Sequence, residues 1–102
     1  MPSSIQAADY SATMNYLKAV ETAGTTDADK VMSTMKSMKY DDFYGKGTVR
    51  ADGRMIHDMY LFQVKSQKES TTPWDYYKLL EKVPGDQAFR TVADSKCSLL
   101  KK

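Results

Sequence analysis

Residues 55–65, MIHDMYLFQVK, constrain the fold more than any other stretch of the chain. Read as a strand, they place Ile56, Asp58, Tyr60, Phe62 and Val64 on one face and Met55, His57, Met59, Leu61 and Gln63 on the other. Both faces are largely apolar, which predicts a central strand covered on two sides. The run follows Asp52-Gly53, a strong hairpin signal because glycine supplies the positive φ that tight turns need. A hairpin is therefore predicted over residues 48–56. At 102 residues the chain is one domain at most, with a small core for its surface.

Upstream, AADYSATMNYLKAVETAG (residues 7–24) predicts a helix ending at Gly24. Tyr10, Met14 and Leu17 form one apolar stripe, and Ala12, Tyr16, Ala19 and Ala23 another. Only Ser11, Asn15, Lys18 and Thr22 make a clearly polar stripe. A helix apolar over most of its girth is normally buried in a larger body. A second helix is predicted in TTDADKVMSTMKSM, with Thr26 and Asp29 at capping-box spacing. Its Ala28, Val31, Met32, Met35 and Met38 stripe reads as core rather than as an adaptable binding groove. KYDDFYGKG is expected to be a loop anchored by Tyr40, Phe43 and Tyr44. SQKESTTP should be a polar surface loop. WDYYKLLEKVPG should be a further strand stopped by Pro84-Gly85, and residues 86–102 a short helical turn and a tail. The expected class is α+β: two helices, then an antiparallel hairpin and a further strand.

No catalytic constellation emerges. His57 and Asp58 are adjacent on a strand, so their side chains point to opposite faces and form no acid-base dyad. Arg54, at the turn, could pair with an acidic neighbour, a contact of small value when exposed. A small enzyme using His57 with Asp58 or Arg54 would need these groups to converge. One histidine and one cysteine cannot supply a typical zinc site. Asp41-Asp42 lacks the alternating ligands and distal Glu of a calcium loop. Phosphate loops and nucleophile elbows are absent from the sequence. The aromatics of PWDYYK could stack on a sugar or base, but in strand context they read as packing. The sequence implies no cofactor and no metal.

Fifteen basic and thirteen acidic residues are spread along the chain, for a net charge of +2, so no basic stripe supports nucleic-acid binding. Lys101 and Lys102 read as a solvated tail. No apolar run approaches bilayer-spanning length. MPSSIQAADY has neither the basic nor the apolar region of a signal peptide, which on its own points to the cytoplasm if Met1 is the true start. Cys97 has no partner in the chain. It is either a spare thiol or the mate of a cysteine on a segment outside this sequence.

QAADYSATMNYLKAVETAGTTDADKVM, followed by RADGRMIHDMYLFQVKSQKESTTPWDYYKLLEKVPGDQAF, resembles the C-terminal end of the branched-chain amino-acid-type substrate-binding proteins of bacterial ABC importers, the type I periplasmic binding proteins. The most specific parts are DGRMIHDMYLFQVK, PWDYYK with PG behind it, and the tail SKCSLLKK. The resemblance implies a parent with two α/β lobes joined by three crossovers and a small ligand closed between them. That parent is exported to the periplasm and presents leucine, isoleucine, valine, related amino acids, amides, urea or aromatic acids to a membrane permease, catalysing nothing. Residues 1–102 then form an incomplete domain, the C-terminal portion, lacking most ligand-gripping loops. Of the cleft-facing loops only the start of the first helix falls in this chain, and Tyr10 is the candidate ligand contact there. Tyr10 also fits a packed stripe with Met14 and Leu17, and packing is the preferred reading. A chain of this kind is expected to self-associate through its apolar faces. The alternative is a standalone interaction module that buries those faces against a partner or a second copy.

Overall fold

The computed structural model describes residues 2–98 and residue 100. Helix α1 runs over Ser4–Ala23, starting one turn earlier than the apolar pattern predicts, because Gln6 reaches back to accept the Ser3 amide at 2.8 Å. It stops where expected: Gly24 takes φ 64° and its N–H returns to the Val20 carbonyl at 2.9 Å. Helix α2 is Ala28–Ser37. Its cap is Asp27, which accepts from the Lys30 amide at 3.1 Å, and not the expected Thr26. Asp is the stronger cap, and its position one residue later starts the helix at Ala28.

KYDDFYGKG is not a loop. It forms the antiparallel pair β1 (Lys39–Asp42) and β2 (Gly45–Val49), with Asp42 opposite Gly45 and Phe43-Tyr44 as a two-residue connection. The Asp52-Gly53 hairpin is present: Gly53 has φ 80°, and β2 pairs antiparallel with β3 (Met55–His57), Val49 opposite Met55. The three strands make a meander in the order β1-β2-β3. Helix α1 packs on α2 and α2 on β2.

The expected central strand is divided. It breaks at Asp58, and its second part, β4 (Met59–Val64), joins a separate two-stranded ribbon with β5 (Tyr77–Val83). The apolar alternation is real, but every residue of β4 is exposed, so nothing among the described residues covers either face. The polar loop between β4 and β5 is closed by Lys65 Nζ on Asp75 at 2.5 Å and by Ser66 on Glu69. Beyond Pro84 a single helical turn, α3 (Gly85–Ala88), packs on β3.

The core is small: Ala19, Val31 and Tyr40 are the buried hydrophobic residues among those described. Met35 and Met38 are half-buried beside Val31, whereas Ala28 and Met32 are exposed, so the α2 stripe is core only in part. The α1 stripes are reversed relative to expectation. Ser11 and Asn15 face inward with Ala19, while Tyr10, Met14 and Leu17 are 60%, 37% and 52% exposed. A radius of gyration of 17.0 Å, against about 13 Å for a compact chain of this length, records the same openness.

Candidate functional site

The reversed face of α1 is explained by one carboxylate. Asp42, the last residue of β1, sits under α1. Its Oδ2 accepts from Ser11 Oγ at 2.6 Å and from Asn15 Nδ2 at 3.0 Å, while its Oδ1 accepts the Tyr44 and Gly45 amides at 2.9 and 3.3 Å. The Ser11 hydrogen bond, more than any other contact, holds the Asp42 carboxyl below the usual carboxylate range; burial opposes this. The β1–β2 turn is thereby locked to α1 at Ser11 and Asn15.

That lock brings Tyr10 to the turn. Its ring meets Phe43 edge-on, with centroids 5.6 Å apart, and both rings remain open to solvent. Tyr10 is therefore not part of a packed stripe with Met14 and Leu17. A separate cleft of about 250 Å³, which Tyr10 does not line, opens between the β1–β2 turn and the ribbon. Tyr44, Asp42, Asp58, Tyr60 and Lys82 line it. Its wall carries both signs of charge, with Lys46 on Asp41 at 3.0 Å and Lys82 on Asp58 at 2.6 Å. A second cavity of about 310 Å³, largely apolar, lies between α1, α2 and the meander, under Ala12, Met35 and Tyr40. Tyr40 hydrogen-bonds the Met35 carbonyl at 2.8 Å, and burial raises its pKa.

His57 and Asp58 diverge, with His57 ending β3 and Asp58 standing in the break before β4. The His57 ring is wedged edge-on between Tyr44 and Phe89, at 5.4 and 5.3 Å, and its Nδ1 lies 2.9 Å from the Asp58 carbonyl oxygen. A carbonyl only accepts, so Nδ1 carries the proton. The Asp58 carboxylate instead faces Lys82 and the Gly85 amide. At the β2–β3 turn it is Arg50, not Arg54, that pairs with an acid. Its guanidinium clasps Asp52 and takes that carboxyl down to about 2. Arg54 lies over the Phe89 ring at 5.7 Å. Asp41 and Asp42 are engaged by protein donors, and among the described residues no group of three His, Cys, Asp or Glu side chains is placed to hold a metal. Cys97 is exposed. Among the same residues no helix is long and apolar enough to cross a membrane.

A small open cleft with aromatic and charged walls offers ring faces and ion-pairing groups to a small ligand. Over residues 1–69 the sequence matches the family described as periplasmic binding protein. The chain belongs to that family. A periplasmic binding protein from Burkholderia mallei is 60% identical to it, with a TM-score of 0.94 over 99% of this chain and 27% of its own. A branched chain amino acid ABC transporter periplasmic ligand-binding protein from Burkholderia xenovorans LB400 is 39% identical, with a TM-score of 0.89 over 96% of this chain and 26% of its own. No curated protein matches. The chain thus spans about a quarter of the length of these periplasmic binding proteins. Proteins of this kind bind solutes and are not enzymes.

Phe43, which meets Tyr10, was read in the sequence only as a loop anchor. Ser11, Asn15 and Asp42 were readable only as a polar stripe and a solvated loop. The one available signal was the i, i+4 spacing of two short polar residues on an otherwise apolar helix.

Proposed function

We propose that this chain is the C-terminal quarter of the solute-binding component of a bacterial ABC importer, working in the periplasm and delivering an amino acid or related small solute to a membrane permease. The observation that carries the reading is the 39% identity, over 96% of the chain, to a protein named for branched chain amino acid transport. The exposed Tyr10–Phe43 pair on the β1–β2 turn supplies an apolar surface suited to an aliphatic or aromatic side chain. The remaining ligand-gripping loops belong to the rest of the parent, so the 102-residue chain alone binds solute weakly or not at all.

The test uses the complete reading frame that contains this segment. Calorimetric titration with leucine, isoleucine, valine, their amides and aromatic acids should give one saturable site for at least one solute. Tyr10→Ala should weaken that site about tenfold while leaving the melting temperature within a few degrees. A folded protein that binds none of the panel contradicts the reading, and unchanged affinity in Tyr10→Ala removes Tyr10 from the site. A standalone interaction module is the second reading, favoured by the exposure of both faces of the ribbon. It requires the chain to be made alone, with no upstream lobe.

A further inference from the structure

Four cations that lie far apart in the sequence are gathered by the fold at one place. The tight turn of RADGR sets Arg50 opposite Arg54, with the Arg50 amide donating to the Arg54 carbonyl at 2.9 Å. The segment after α3 folds back beside this turn and adds Arg90 and Lys96 to the wall of a pocket of about 380 Å³. A short turn shapes that segment: the Ser95 amide bonds the Val92 carbonyl at 3.1 Å, and Thr91 Oγ1 donates to Asp94 at 2.6 Å.

Like charges set opposite each other across antiparallel strands are destabilising. In this lining one acid, Asp52, stands against the four cations, and it is committed to Arg50 through Nε at 2.9 Å and Nη2 at 2.5 Å. No ion pair among the described residues involves Arg54, Arg90 or Lys96. Arg54 is nonetheless oriented. Its guanidinium lies over the Phe89 ring at 5.7 Å, a contact that uses the planar face and leaves the N–H edge to donate. Ser95 Oγ accepts the Cys97 amide at 3.3 Å and so keeps its own hydrogen to give. A neighbouring pocket of about 380 Å³ shares Arg50, Phe89 and Thr91 with the first. Its wall is mostly apolar, with Ile56 and Val92 in it and Asp86 as its one acid. Neither pocket is lined by Tyr10 or Phe43, or by any residue of the cleft at Asp58.

We propose that these two pockets form a second binding site, for a phosphate monoester with an apolar body. The phosphate lies against Arg54, Arg90 and Lys96, and the body beside Ile56 and Val92. A phosphate monoester brings close to two negative charges and three acceptor oxygens, which matches three cations without acidic partners better than a carboxylate does. A soluble ester and a lipid headgroup carry this same chemistry. The assignment is independent of the solute bound at Tyr10.

The test uses the complete reading frame that contains this segment, so that whatever packs on these residues in the whole protein is present. Phenyl phosphate, titrated by calorimetry, should saturate one site and bind more tightly than inorganic phosphate, which has no body for the apolar pocket. Arg54→Gln, and separately Arg90→Gln with Lys96→Gln, should weaken phenyl phosphate about tenfold, the loss of one charge-assisted contact. All three side chains are exposed, so these variants should keep the melting temperature of the unaltered protein. Tyr10→Ala should leave phenyl phosphate binding unchanged, which separates this site from the solute site. Co-sedimentation with phosphatidylcholine vesicles, with and without phosphatidic acid, distinguishes the sources. Capture that needs phosphatidic acid supports the site with a lipid headgroup as its ligand; saturation by phenyl phosphate without capture supports it with a soluble ester. A folded protein that phenyl phosphate does not saturate overturns the site, as does equal affinity in the unaltered protein and both cation variants. Equal affinity for the two phosphates, or a loss in Tyr10→Ala, overturns it as well.

Discussion

Ser11 and Asn15 are buried on α1 because Asp42 needs them. A carboxylate half-buried beneath a helix is unfavourable unless its lone pairs are occupied, and four donors occupy them here. Ser11→Ala should therefore lower stability by about 1.5–3 kcal/mol, the range for a hydrogen bond to a charged group. Urea unfolding at pH 7 measures it. The same network has a pH signature. Asp42 and Asp52 both titrate lower in the folded chain than the ordinary value of 3.8, Asp52 at about 2. Below 3.8 the unfolded chain takes up protons that the folded chain refuses, so their stabilisation is complete above that pH and is lost as pH falls toward 2. The urea midpoint should fall between pH 5 and pH 2.5, and fall less in Ser11→Ala, where the principal cause of the Asp42 shift is gone. An equal fall in both proteins would show that Asp42 is not held by Ser11. None of this was legible in the sequence, where a polar pair on a helix reads as solvent-facing. The inward turn depends on a partner 31 positions away.

At the scale of elements, the local signals that carry their own geometry were readable and those that depend on distant packing were not. Gly24 and Gly53 mark a helix end and a turn through positive φ, 64° and 80°, a property of the residue itself. KYDDFYGKG hid a hairpin because its Phe-Tyr connection carries no glycine signal, and Asp42 supplies the turn's hydrogen bonds instead. Gly47 is a different case. A Cβ there would lie 2.1 Å from the Ile56 carbonyl oxygen in the facing strand. Gly47→Ala must push β3 away from β2, at a predicted cost of about 3 kcal/mol or more. Gly53→Ala meets open space and bears only the strain of its φ, about 1 kcal/mol. Thermal unfolding followed by circular dichroism should rank them in that order. The reverse ranking would mean that the β2–β3 approach is looser than the structure shows.

For the whole molecule, the decisive quantity is surface. The chain exposes 8152 Å², whereas a compact monomer of its mass exposes about 5,800 Å². The excess, about 2,300 Å², exceeds the roughly 800 Å² that each partner buries in a standard protein interface. Much of it is apolar, contributed by Met14 and Leu17 on α1 and by Leu61, Phe62, Leu79 and Leu80 on the ribbon. This is why the apolar alternation of residues 55–65 was a correct reading with an incorrect expectation: the faces are built to be covered, and the described chain does not cover them. In isolation the chain should self-associate, with a sedimentation-derived mass at least twice 11.5 kDa at micromolar concentration. A monodisperse monomer would count against it.

If these 102 residues form a quarter of a solute-binding protein of this family, as proposed, they should exchange for the matching segment of a relative. The matching segment of the Burkholderia xenovorans ligand-binding protein, 26% of that chain, is replaced by this sequence, and the hybrid is titrated with leucine, isoleucine and valine by calorimetry. The hybrid should be monomeric and cooperatively folded, and should bind whichever of these solutes the unaltered protein binds, within about tenfold of its affinity. A hybrid that aggregates, or that folds without binding while the unaltered protein binds, would contradict it.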